Sequence, residues 1–165
     1  MMERVLLTVL FTDIVGSTSV AASMGDQKWR DLLQRHDDEI RVELRRSEGI
    51  EIKTTGDGFL AAFQRPTRAI QCATAICDRM AKLGLQVRAA IHIGECEKRG
   101  DDLSGIAIHL ASRLLEYAKA GEIIASRTVK DLVVGSGFAF EERGETKLRD
   151  VPGSWQIFLV SGRAP

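Results

Sequence analysis

Residues Gly49–Phe63 read GIEIKTTGDGFLAAF. Two short apolar stretches flank Thr-Thr-Gly-Asp, where Gly56 admits the positive φ that a side chain resists, so the segment predicts a β-hairpin with its turn over Thr54–Asp57. A hairpin sets its strands antiparallel and adjacent. What flanks it fixes the architecture. Upstream, beginning with Asp26 as N-cap, Trp29, Leu32, Leu33, His36, Ile40 and Leu44 recur at three- and four-residue intervals, the pattern of a long amphipathic helix ending before Gly49. Downstream, Pro66 opens a second helix with Ala69, Ile70, Ala73, Ile76, Cys77 and Met80 on one face, and Gly84 stops it. Beyond the helices lie two runs of strand character, RVLLTVLFT (Arg4–Thr12) and LQVRAAIHIG (Leu85–Gly94).

The resulting order, β-α-β-β-α-β, is the ferredoxin-like arrangement of an α+β fold, with helices expected on one face of an antiparallel sheet. Further elements follow at the C-terminal side: a helix from about Gly105 to Lys119, then strands over Glu122–Ala125, Phe138–Glu142 and Trp155–Val160. The 165 residues suit one domain, 1–165, and no linker, repeat or low-complexity stretch divides them. Hydrophobic residues at 44% and charged residues at 28% are globular values. Twenty-three basic and twenty-three acidic side chains cancel, so no sustained positive field recommends a nucleic-acid or membrane-surface binder. Any anionic ligand has to be met locally. No apolar run is long enough to span a bilayer and the first residues lack a signal-peptide cleavage region, so a cytoplasmic location is expected. Cys72, Cys77 and Cys96 lack CxxC spacing and read as small apolar residues rather than a disulfide framework or zinc site.

Candidate chemistry gathers at strand ends. Asp13 follows the first strand, and Asp57 sits in the hairpin turn that such a fold places beside it. Helix capping and turn formation would each explain one of them alone. Together they repel unless a cation intervenes, and paired aspartates with phosphate oxygens are the donors that Mg²⁺ or Mn²⁺ prefers. Between strand and helix, Asp13–Thr18 (DIVGST) offers backbone N–H groups of Val15, Gly16, Ser17 and Thr18 that could converge on phosphate. Lys53, on the strand before the turn, could present its ammonium to a base or phosphate. Arg88 lies in an apolar strand and must find an anion, either a structural carboxylate or a phosphate. His92, on the same strand, reads as a satisfied core residue. Asp102, His109 and Arg113 cross a loop-to-helix junction, the last two sharing a helix face.

These stretches resemble, in order and spacing, the class III nucleotidyl cyclase catalytic domain: FTDIVGST, KTTGDG, VRAAIHIGE and DDLSGIAIHLASRLLEYAKAGEIIAS. The likeness runs from about Arg4 to Val160, and GECEKRGDDLSG resembles the bacterial, particularly mycobacterial, branch. The resemblance implies two metal ions per site, Mg²⁺ or Mn²⁺, held by Asp13, Asp57 and the Ile14 carbonyl. It implies that Lys53 and Asp102 read adenine, that Arg113 stabilises the transition-state phosphate, and that Arg88 binds phosphate. It also implies an adenylate cyclase making 3′,5′-cyclic AMP and pyrophosphate from ATP, working as a head-to-tail homodimer with shared sites. His109 stands where the family often has Asn, and an imidazole can still donate a hydrogen bond. Gln156 stands where many members have a basic triphosphate contact, for which Lys147 or Arg149 could compensate. Those two departures support the alternative, a weakly active or inactive nucleotide-binding regulatory module.

Overall fold

A computed structural model describes residues 2–163. Its first strand, β1 (Glu3–Ile14), alternates in side-chain direction, and that alternation feeds two cores. Leu10 and Ile14 enter one, with Ile40, Leu44, Ile70, Ile76 and Met80; Val9 and Phe11 enter the other, with Leu110, Ala111 and Leu114. After β1 come α1 (Ser17–Met24), α2 (Asp26–Arg46), the hairpin strands β2 (Ile50–Thr54) and β3 (Phe59–Phe63), α3 (Pro66–Lys82) and β4 (Val87–Arg99). A short β5 (Asp102–Ser104) precedes α4 (Ile106–Leu115), β6 (Ile123–Ser126), α5 (Arg127–Leu132), β7 (Phe138–Thr146) and β8 (Trp155–Arg163).

The strands form one sheet in the order β2-β3-β1-β4-β6-β8-β7, with β5 paired to β4. All pairings are antiparallel except β4 with β6. The expected βαββαβ core is present, and α2 and α3 share one face, as the apolar periodicity predicts. The expectation of helices on one face alone is corrected by α4, whose residues pack into the second core on the opposite face. Ala107 and Ala111 let this helix lie close to the sheet, and a two-sided sheet needs a second cover.

Local boundaries differ for identifiable reasons. Gly25 occupies the N-cap of α2 with no side-chain cap, so Asp26 is in the first turn instead, where its charge still suits the helix dipole. The turn of the hairpin is shifted by one residue, closed by Thr55 N–H donating to Gly58 O at 2.9 Å, with Gly56 at φ 85°. α4 ends at Leu115 rather than Lys119, because Glu116, Tyr117 and Ala118 tighten into three-residue-spaced bonds to Arg113, Leu114 and Leu115. The polar stretch Lys98–Asp102 is no loop: it is the tip of a β4–β5 hairpin, with Arg99 opposite Asp102. Neither β5 nor α5 was expected from the sequence.

The three cysteines are free; Cys72 and Cys96 are buried, and burial pushes the Cys72 thiol up to about 12 and that of Cys77 to about 11. His92 is a core residue as expected, its Nδ1 2.7 Å from Ser126 Oγ. No helix among the described residues is long and apolar enough to cross a membrane.

Candidate active site

The β1–β4 register puts Asp13 opposite Arg88, while the β1–β3 register puts Thr12 opposite Phe59, one residue beyond the Asp57 turn. Gly58 makes that approach possible. A Cβ there would fall 1.8 Å from the Thr12 carbonyl oxygen and 3.0 Å from Asp13 Cα, so the turn lies directly against the end of β1 because position 58 has no side chain. From the other side, α2 fixes the hairpin: Arg41 clamps Glu51 of β2 through Nε at 2.7 Å and Nη2 at 3.2 Å, and its guanidinium stacks 5.4 Å from the Phe59 ring centroid. Gly58, Arg41 and Glu51 were all missed by sequence reasoning.

The turn that carries Asp57 therefore lies against the Asp13 end of β1, and Arg88 pairs with Asp13 there. Its Nε and Nη2 donate to the two Asp13 carboxylate oxygens at 2.7 and 3.0 Å. That hydrogen bond, together with the charges of Asp13, Glu116 and Asp57, raises the guanidinium pKa against the opposing effect of burial. Of the two partners open to Arg88 in sequence, the structure shows the carboxylate. Ile14, the last residue of β1, pairs with Val87. In the following turn, Val15 N–H donates to the Gln86 carbonyl at 2.7 Å, which removes Val15 from the expected phosphate-facing amides. Gly16 takes φ 66° at the N-cap of α1, and Ser17 and Thr18 open that helix, whose first-turn N–H groups have no intrahelical acceptor.

The oxygen-only donors Asp13, Asp57 and the Ile14 carbonyl fit a hard divalent cation. Among the described residues no group of three or more His, Cys, Asp or Glu side chains closes a metal site, so substrate oxygens or water would have to complete the shell.

Between β2 and β5, Lys53 Nζ donates to Asp102 Oδ1 at 3.0 Å, joining two residues 49 positions apart. The Lys53 hydrogen bond, then the Leu103 N–H at 2.9 Å, holds the Asp102 carboxyl below its usual range. Asp102 reaches Lys53 from strand β5, not from the loop expected. His109 and Arg113 lie one turn apart on α4, both half-buried. Arg113 Nη1 donates to Glu116 Oε1 at 3.1 Å. Gln156 is on β8, accepting from Arg127 Nη1 at 2.8 Å and donating to Glu142 at 3.4 Å.

Residues 2–162 match the family described as Adenylate and Guanylate cyclase catalytic domain. The chain belongs to the class III nucleotidyl cyclase family. It is 30% identical over 152 residues to an adenylate cyclase of Podospora anserina, covering 73% of this chain and 7% of that protein. It is 34% identical over 80 residues to an uncharacterized protein of Mycobacterium tuberculosis, covering 48% and 28% respectively. The chain thus spans well under two thirds of the length of these curated relatives. The crystal structure of the adenylyl cyclase CyaB from P. aeruginosa superposes with a TM-score of 0.88 at 24% identity, covering 97% of this chain and 95% of that one, and so shares the fold.

Within the cyclase fold three ion pairs engage charged candidates: Asp13 with Arg88, Lys53 with Asp102, and Arg113 with Glu116, whose carboxylate also accepts from Arg149. Only the first is bidentate. His109 differs from them, since its imidazole makes no hydrogen bond among the described residues.

Proposed function

We propose that the chain is an adenylate cyclase that converts ATP to 3′,5′-cyclic AMP and pyrophosphate. The choice of ATP is carried by one observation: an ammonium donor and a carboxylate acceptor, Lys53 and Asp102, stand 3.0 Å apart at the end of the hairpin. Adenine offers a ring nitrogen to the first and an exocyclic amine to the second. Guanine presents a carbonyl where that amine would be, facing Asp102 with acceptor against acceptor.

Asp13 and Asp57, with the Ile14 carbonyl, would hold Mg²⁺ or Mn²⁺, two ions per site. When bound, the metal lowers the pKa of the ribose 3′-hydroxyl and neutralises charge on the triphosphate. Lys53 and Asp102 fix the base, and the open N–H groups of Ser17 and Thr18 meet phosphate oxygens at the start of α1. Arg88, on leaving Asp13, turns its guanidinium to the phosphates. Arg113, assisted by a His109 N–H, meets the charge that builds at the α-phosphorus during in-line attack. Positioning and electrostatics thus replace a protein nucleophile, and the cysteine thiols are held protonated by burial.

The active form in this reading is a head-to-tail homodimer, with metal residues from one chain and base-reading residues, His109 and Arg113 from the other. A second reading, a weakly active nucleotide-binding module, is favoured by the bidentate hold of Arg88 on Asp13. Incubating the protein with Mn²⁺ and either ATP or GTP, then identifying the products, separates the two. Cyclic AMP and pyrophosphate from ATP are expected, and no cyclic nucleotide from either substrate would leave the regulatory reading.

A further inference from the structure

His92 is satisfied at one ring nitrogen and open at the other. Ser126, fully buried, accepts the Val129 N–H at 3.5 Å as the cap of α5, so its own hydroxyl proton needs an acceptor, and among the described residues that acceptor is His92 Nδ1 at 2.7 Å. Burial keeps the imidazole neutral, pushing its pKa down to about 4. A neutral ring that accepts at Nδ1 carries its proton at Nε2. That N–H makes no hydrogen bond among the described residues, although His92 is only 5% exposed.

His92 lines a cavity of about 390 Å³ at the start of α4. Its place is far from Asp13, for His92 lies four residues along β4 from Arg88, roughly 13 Å at the rise of a strand. A Cβ on Gly94 would stand 3.0 Å from Ala107 Cβ and 3.5 Å from His92 Nε2, so the glycine keeps open the space between the imidazole and the helix. Gly105 gives α4 no side-chain cap, and the first-turn N–H groups of Ile106 and Ala107, which also line the cavity, have no intrahelical acceptor. The remaining walls, Leu110, Val151, Pro152 and Trp155, are apolar, since Trp155 spends its indole N–H on the Pro152 carbonyl at 3.0 Å. At the mouth Arg4 and Glu95, 3.5 Å apart and both exposed, cancel in charge. The choice of ligand is therefore made at the floor.

We infer that this cavity is a binding site for a small aromatic carboxylate, whose anionic group is received by His92 Nε2–H and the open start of α4, and whose ring lies among Leu110, Val151, Pro152 and Trp155. Donors that lack acceptors select an acceptor group, and the positive end of the helix dipole favours an anion over a neutral carbonyl. The cavity is at the small end of ligand sites, roughly 300–1,000 Å³, which limits the body to one or two rings. The flat faces of an indole and a proline suit a ring better than a chain. This site asks nothing of the nucleotide chemistry and stands whether or not the chain cyclises ATP.

The test is nuclear magnetic resonance of the whole chain labelled with ¹⁵N at its three histidines, titrated at neutral pH with benzoate and, separately, with benzyl alcohol. The free protein should show His92 as the neutral tautomer protonated at Nε2. Benzoate should shift that N–H and saturate, and benzyl alcohol, the same ring without the charge, should bind at least about tenfold more weakly. His92→Phe keeps a ring and loses the donor, so it should both assign the resonance and, by calorimetry, weaken benzoate about tenfold. Ile106→Glu should abolish binding by setting a like charge at the helix start, with an unchanged thermal melt, since Ile106 is 56% exposed; this variant decides the matter if His92→Phe fails to fold. A proton on Nδ1, no saturable shift at His92, benzyl alcohol binding as tightly as benzoate, or wild-type affinity in Ile106→Glu overturns the inference. So does benzoate that perturbs His109 in place of His92, because it then occupies the nucleotide site.

Discussion

Replacing Gly58 by alanine should separate Asp13 and Asp57, the carboxylates proposed to hold the metal, without touching either. The new Cβ would stand 1.8 Å from the Thr12 carbonyl oxygen and 2.8 Å from its carbon, both backbone atoms of a central strand that cannot yield. The turn must therefore retreat by at least about 1 Å, carrying Asp57 from Asp13, and overpacking of this kind costs about 1–3 kcal/mol. A displacement of that size at a reacting centre costs on the order of a hundredfold in rate. Gly56→Ala is the control: its φ of 85° makes alanine strained, by about 1 kcal/mol, but nothing lies within 4 Å of the added carbon. Urea unfolding and Mn²⁺-dependent turnover should thus give two variants of comparable stability loss, of which only Gly58→Ala loses most activity and needs more metal. If Gly58→Ala turns over like wild type at low Mn²⁺, the abutment of the turn on β1 does not bring the carboxylates together.

Exchanging the base-reading pair by Lys53→Glu with Asp102→Cys should cut ATP turnover at least about tenfold, since the donor and acceptor offered to adenine are then inverted; unchanged ATP kinetics would remove both residues from base recognition. Asp57→Ala and Arg113→Ala should each be nearly inactive, yet a mixture of the two should recover about a quarter of wild-type activity, because half of randomly paired dimers carry one intact site. A mixture that exchanges subunits and stays inactive rules out shared sites. His92 makes the fold acid-sensitive: burial depresses its pKa from 6.5 to about 4, so its contribution is complete above pH 6.5 and is lost as pH falls through 4, by up to about 3 kcal/mol. His92→Gln should flatten the urea-measured stability between those pH values, and an unaltered slope would locate the sensitivity elsewhere.

The βαββαβ core was legible because each of its helices declares an apolar face and its hairpin a glycine turn. The face covered by α4 was not, since periodicity identifies an inward side without saying which side of the sheet is inward. β5 was hidden by its composition: Asp102, Leu103 and Ser104 have no strand propensity, and they pair only because β4 runs on past Gly94 to Arg99. The residue types of the site were readable, but their partners were not. Arg88 visibly needed an anion, yet only the β1–β4 register names Asp13, 75 positions away. Val15 failed as a phosphate amide because a backbone acceptor, Gln86 O, carries no trace in sequence. Glycine at 58 offered a signal that a second glycine one residue after the turn aspartate could have supplied, had close approach been considered beside positive φ.

The proposed activity is the selection of ATP and closure of its 3′,5′-cyclic phosphate ring with release of pyrophosphate. The most direct measurement supplies equimolar ATP and GTP together with Mn²⁺ in one reaction and quantifies both cyclic nucleotides by mass spectrometry. With Lys53 and Asp102 reading the base, cyclic AMP should exceed cyclic GMP by about tenfold or more, the discrimination expected from one mismatched hydrogen-bond pair. Equal amounts, an excess of cyclic GMP, or no cyclic product would contradict it.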